Sequence, residues 1–254
     1  MESVKIGEQH VRVEMDHSDG HLISYWSNTV DGLKALTDYV TNLFNIDVSE
    51  IWASKQSFHM IEWVNSRQKT PLRNVWYADW SATPSSEEDM IYILKDCRPI
   101  SQLRICLKLP PNFRFSEKFR KFSFDCLDIW YGEWVTLDNL LTMDGIDIIL
   151  GSSTLSSTDL NVFLKHWLSG GCPRLKLFSA ETGFLDILQV LTDLLHNAVL
   201  VDDHRDYVSP FGYSINLSSG YDIRREDGVT ATIHYQPPRT LIIAVWPETT
   251  YNSN

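Results

Sequence analysis

A six-residue apolar frame recurs along the middle of the chain and narrows what it can fold into. The pattern is apolar, two variable, apolar, one variable, apolar. It occurs at Val48, Ile51 and Ala53; at Leu72, Val75 and Tyr77; and at Ile100, Leu103 and Ile105. It returns at Phe124, Leu127 and Ile129; at Met143, Ile146 and Ile148; and at Cys172, Leu175 and Leu177. Leu195, Ala198 and Leu200 make a weaker seventh copy. Successive strong copies start 19 to 29 residues apart, with a mean of about 25, as in leucine-rich repeats. Positions two apart in a strand face the same way, so the last two apolar residues of each frame point into one core.

Segments between the frames have helical spacing. Ser85 and Glu88 form a capping box ahead of Met90, Ile91 and Leu94. Thr136 opens a short helix with Leu137, Leu140 and Leu141. Ser156 and Asp159 open another with Leu160, Phe163, Leu164, Trp167 and Leu168, ended by Gly170 and Gly171. The stretches 58–64 and 184–195 fit the same pattern. Short strands alternating with helices predict an α/β fold with a parallel sheet. The short connections favour a leucine-rich-repeat-like solenoid, a curved parallel sheet with outer helices. The alternative is an irregular α/β domain whose strands merely resemble one another. Leucine-rich repeats usually carry Asn or Cys three residues after the frame; here Gln56, Trp80, Lys108, Gly132, Gly151 and Ala180 stand there, so the turns must be satisfied differently.

Three regions follow. Residues 1–45 read as an N-terminal cap: a strand with Val11, Val13 and Met15, a turn at Asp19-Gly20, a strand from Leu22 to Trp26, then a helix with Leu33, Leu36, Val40 and Leu43. Residues 46–201 hold the repeats. Residues 202–254 read as a polar loop, then three strands (213–217, 230–235 and 240–246) forming an antiparallel cap at the C-terminal end.

Composition bounds the function. The chain has 254 residues, 43% hydrophobic and 22% charged, ordinary for a globular protein. The net charge of −11 disfavours nucleic-acid binding. Arg114 to Lys121 is the densest basic cluster. The longest apolar run, Leu241 to Trp246, has six residues, against roughly 20 for a bilayer span, and Met1 to Lys5 has no apolar signal core. An intracellular protein of cytoplasm or nucleus, without membrane contact, is expected. Cys97, Cys106, Cys126 and Cys172 lack any Cys-x-x-Cys pairing, which predicts free buried thiols and no zinc site.

One stretch carries a family resemblance. Glu133-Trp134-Val135-Thr136-Leu137-Asp138-Asn139-Leu140-Leu141 leads to Leu160-Asn161-Val162-Phe163-Leu164-Lys165-His166-Trp167-Leu168-Ser169-Gly170 and Cys172-Pro173-Arg174-Leu175. This resembles the type 2 F-box-associated domain of nematode F-box proteins, over roughly residues 30 to 180. The resemblance implies a domain that holds protein substrates for an SCF-type ubiquitin ligase, while an F-box grips the Skp-family adaptor. Residues 1–45 contain no proline and read strand-first, unlike a helical F-box with its Leu-Pro opening. The chain is therefore expected to lack an F-box, so adaptor contact is expected only if one is present elsewhere. The alternative is a stand-alone interaction module derived from F-box proteins.

Catalytic signatures are missing. There is no Gly-x-Ser-x-Gly elbow, no phosphate loop and no His-Glu-x-x-His. Asp202, Asp203, His204 and Asp206 read as a solvated acidic loop, and His166 as a helix-surface residue. No cofactor and no enzymatic activity are expected; a hydrolase would need an unrecognised cluster of titratable groups. A binding surface is expected where residues between the core positions face away from the helices: Trp52, Trp76, Arg104, Asp128, Asp147 and Lys176, flanked by Trp130. Trp and Arg dominate protein-contact energies. Ile149 and Phe178 fall on the same face, so the tryptophans could equally be covered there.

Overall fold

The computed structural model describes residues 2–16, 20–79, 85–97, 99–115 and 124–247. Most of the basic cluster ending at Lys121, the Asp19 turn position and Trp80 lie outside the described residues.

An antiparallel unit of β1 (Glu2–Ile6), β2 (Gln9–Met15) and β3 (Leu22–Tyr25) leads into α1 (Thr29–Phe44). The first strand adds to the expected hairpin. Asn28 caps α1 by accepting from the Val30 and Asp31 N–H groups. Strands and helices then alternate: β4 (Glu50–Ala53), α2 (His59–Arg67), β5 (Asn74–Ala78), α3 (Glu87–Lys95) and β6 (Gln102–Cys106). They continue as β7 (Cys126–Ile129), α4 (Leu137–Leu140), β8 (Asp147–Ser153), α5 (Ser157–Leu168), β9 (Leu177–Thr182) and α6 (Ile187–Val190). The chain closes with β10 (Ala198–Val201), β11 (Arg205–Val208), β12 (Ser214–Leu217), β13 (Gly220–Arg224), β14 (Thr230–Gln236) and β15 (Thr240–Val245).

Ten strands form one mixed sheet in the order β10-β13-β14-β15-β9-β8-β7-β6-β5-β4. From β4 to β9 the strands are parallel and follow chain order. The C-terminal strands are antiparallel and extend the same sheet, β15 pairing directly with β9. The weaker seventh frame does become a strand, β10, but it lies at the far edge beside β13 and not beside β9. The segment read as a polar loop contains β11, which pairs with β12 as a separate hairpin.

Every second side chain of the parallel strands enters one core. Ile51, Val75, Leu103, Leu127, Ile148 and Phe178 stand in register across six strands, followed by Ala53, Tyr77, Ile105, Ile129, Leu150 and Ala180. Apart from the partly buried Ile51, all are buried. The helices close this core with Ile61, Val64, Met90, Leu94, Leu160, Phe163, Leu164 and Trp167.

The frame predicts the first four strands in register and slips at the last two. Ile148, not Ile146, lies opposite Leu127, a shift of two residues that keeps the same face. Phe178 lies opposite Ile148 where the frame puts Leu177, an odd shift that turns Leu177 to the other face. The reason is local. Cys172 takes a left-handed backbone (φ 48°), and the Leu175 N–H bonds its carbonyl, so the chain from Cys172 to Lys176 is a turn before the strand begins. Leu175 still reaches the main core, but from that turn.

The helix starts are set by polar caps. Ser156 with Asp159, and Thr136 with Asn139, make reciprocal capping boxes. Helix α3 begins one residue later than expected: Ser86 is its cap, while the Ser85 hydroxyl is buried and donates to Asp79. Two helix asparagines tie down turns that an asparagine ladder would otherwise hold. Asn139 donates to the Phe115 carbonyl, and Asn161 to the carbonyls of Val190 and Thr192. At the β7 and β8 ends, Gly132 N–H donates to the Gly151 carbonyl. A Cβ at Gly151 would meet the Trp130 carbonyl oxygen at 2.5 Å, so only glycine fits between these turns.

All four cysteines are free and buried. Burial pushes the Cys97 and Cys126 thiols up to about 12 and Cys172 up to about 11. These thiols stay protonated and inert at neutral pH. Among the described residues, no helix is long and apolar enough to cross a membrane.

Trp167, 1% exposed, is among the largest fully buried side chains. Trp167→Ala is expected to lower unfolding free energy by about 3–5 kcal/mol. Urea denaturation checks this; a loss below about 1 kcal/mol contradicts its place in the core.

Candidate functional surface

The sheet face turned away from the helices has two halves. The β11–β12 hairpin lies over the half formed by β8, β9 and β15. Leu177, Ile242 and Ala244 pack there against Tyr207 and Leu217, with Ile149, Tyr213, Ile215 and Trp246 around them. Asp147 anchors this cover and is itself fully buried. Its carboxylate accepts hydroxyl hydrogen bonds from Tyr207 (2.5 Å), Ser209 (2.6 Å) and Tyr213 (2.5 Å). Three donors replace the water that a carboxylate loses on burial. Arg205 fixes the hairpin's first strand by donating to Asp222 and Thr232.

The other half, on β4 to β7, carries an open row. Parallel register puts Trp52, Trp76, Arg104 and Asp128 side by side on four strands. Trp52 and Trp76 stack with centroids 4.1 Å apart and planes 8° from parallel. The Arg104 guanidinium lies 4.4 Å from the Trp76 ring centroid and 3.7 Å from the Asp128 carboxylate. Glu50 accepts the Trp52 indole N–H at 2.6 Å and an Asn74 amide hydrogen at 3.2 Å. Trp52 is 66% exposed and Trp130 50%. Burial raises the Asp128 carboxyl above the usual carboxylate range, opposed by the Arg104 charge and a hydrogen bond from Trp130.

The structure thus brings together Trp52, Trp76, Arg104 and Asp128, with Trp130 immediately after β7. Asp147 shares the face but not the exposure, because the hairpin covers it. Lys176 is exposed, yet it precedes β9 in the turn and is not in the row. Phe178, expected on this face, is in the helix-side core as a result of the register slip. Glu50 and Asn74 complete the row. Spacing alone does not reveal Glu50 as a member, because its place depends on the indole two residues on and on an amide from the next strand.

Of the segment read as an acidic loop, Asp202, Asp203 and His204 are exposed ahead of β11, and Asp206 lies in β11 itself; Asp203 is 3.6 Å from Arg205, and Asp206 accepts from Asn216 on β12. Among the described residues, no group of three or more His, Cys, Asp or Glu side chains could hold a metal ion.

Residues 116–180 match the family model described as F-box associated. The matched segment runs through β7, α4, β8 and α5 to the core end of β9. The chain is also similar to the Skn-1 dependent zygotic transcript 15 protein of Caenorhabditis elegans, at 25% identity over 237 residues, 89% of this chain and 67% of the relative. The family match bears out the resemblance to F-box-associated proteins read from the sequence, and the relative is a nematode protein. No solved structure matches the chain.

The hairpin cover gives a pH signature. Burial, and then Asp147, raises Tyr207 and Tyr213 above the usual tyrosine value of 10. Their neutral forms are favoured in the fold, while the unfolded chain ionises near 10. This stability is therefore full below pH 10 and is lost as pH rises past it. Chemical denaturation from pH 8 to 11 is expected to show that loss. In the Tyr207→Phe/Tyr213→Phe variant the alkaline loss is expected to shrink, although the variant is less stable at neutral pH. Identical alkaline slopes would remove these tyrosines from the account.

Proposed function

We propose that this chain is a non-catalytic protein-binding domain that recognises substrates for an SCF-type ubiquitin ligase. We read β4 to β9 as a leucine-rich-repeat-like solenoid whose helix-free face meets the substrate. The observation that carries this reading is the row of Trp52, Trp76, Arg104 and Asp128 in register, half-buried except for the exposed edge ring of Trp52. Large aromatic rings and a guanidinium held by their neighbours are the side chains that concentrate binding energy at protein contacts. The F-box-associated match supports the ligase setting. Four free, buried cysteines fit the reducing cytoplasm or nucleus.

A second reading is a stand-alone interaction module without ligase recruitment. Contact with a Skp-family adaptor then requires an F-box elsewhere in the protein. Immunoprecipitation of the native full-length protein, probed for the adaptor, separates the two: recovery supports ligase recruitment, and consistent absence supports the stand-alone module.

Both readings place the partner on the same row. The Trp52→Ala/Trp76→Ala variant is expected to weaken partner binding by about 30-fold or more, roughly 2 kcal/mol. Proximity labelling in the native cell, wild type against variant, checks this. An unchanged set of labelled proteins would move the binding site elsewhere.

A further inference from the structure

We propose that the outward face of Trp52, with the Glu50 carboxylate beside it, is the receptor for a basic side chain, arginine or lysine, of the partner protein. This rests on the reading of the open row as the contact surface and gives that surface its chemistry.

Trp52 lies on the last strand of the sheet. One face of its ring is taken by Trp76, stacked at 4.1 Å. The ring is nevertheless 66% exposed, so its other face is open to solvent. At the far side of the pair, Arg104 already occupies the outer face of Trp76 at 4.4 Å. Among the described residues, the two-ring stack is thus filled by a cation at one end and vacant at the other.

Charge decides what fits the vacant end. Arg104 is matched by Asp128 at 3.7 Å. Glu50 has no such match: its described partners are the neutral Trp52 indole and Asn74 amide. Those two donors fix the carboxylate beside the ring and leave it with a full negative charge. The row as a whole is therefore one positive charge short. A cation over the ring gains from the π-face and from Glu50 together. A carboxylate or phosphate would be repelled by Glu50 and by the chain's net charge of −11. An apolar side chain would use the ring but strip water from Glu50 without replacing it.

Selection of a displayed random heptapeptide library on the purified chain tests this, with Trp52→Ala as counter-screen. Circular dichroism and a thermal melt establish that each variant is folded. The expected outcome is a set of Trp52-dependent peptides rich in arginine or lysine. Exchanging that arginine for neutral citrulline is expected to weaken binding about tenfold, the scale of a partly desolvated cation–π contact. Glu50→Gln is expected to weaken the arginine peptides several-fold and leave the citrulline peptides unchanged. Glu50→Lys is expected to turn selection toward acidic peptides. Trp52-dependent peptides without basic residues would overturn the basic-side-chain assignment while leaving the contact surface intact. Peptides that bind Trp52→Ala as well as wild type, or no enrichment at all, would overturn the surface reading with it.

Discussion

Parallel register across β4 to β9 is the constraint on which the rest depends. Once Val75, Leu103 and Leu127 are stacked strand on strand, every residue between them is turned to the opposite face. The helix-side core and the outward row are consequently two outcomes of one pairing. Trp76 and Arg104 touch because Val75 and Leu103 do. A slip of one residue would bury the row and expose the core, so the apolar stack specifies the outward row without contributing a single atom to it.

The outward face is used in two ways because the chain returns across it. At β8 and β9 the exposed positions turn apolar, with Ile149 and Leu177, and the hairpin covers them. Asp147 sits among them as a charge that would be costly if orphaned. Two tyrosine hydroxyls and a serine hydroxyl supply its partners from residues 60 to 66 positions further on. At β4 to β7 the same face carries rings and paired charges that tolerate water. The boundary between cover and open surface falls where side-chain chemistry changes, at Asp128 and Asp147 on adjacent strands.

What the sequence disclosed follows the range of the interactions involved. Strand period, helix stripes and the Thr136 and Ser156 caps are local, and they are legible from a few neighbouring residues. The tryptophan–arginine row was legible too, because it follows from the period once four strands are in register. The slip at β9 was not, since it depends on Cys172 adopting a left-handed backbone, which few non-glycine residues do. The hairpin was hidden for a different reason. Asp202 to Asp206 read as solvated, and nothing near Tyr207 or Tyr213 reveals that their hydroxyls answer a carboxylate on a distant strand. Asp147 was accordingly assigned to the open row by its face, when its partners had already closed over it.

The open row also explains how an exposed tryptophan can be held in one position. A lone surface indole samples several rotamers, and ordering it on binding costs part of the gain. Here Trp52 is held on three counts: its ring by Trp76, its N–H by Glu50, and its backbone by pairing with β5. Trp76 is held in turn by Arg104, and Arg104 by Asp128. Each side chain is ordered by the next strand, so the cost of ordering the row is met in folding. The same dependence makes the row sensitive from its far end: loosening Arg104 or Asp128, two and three strands away, loosens the ring that faces solvent.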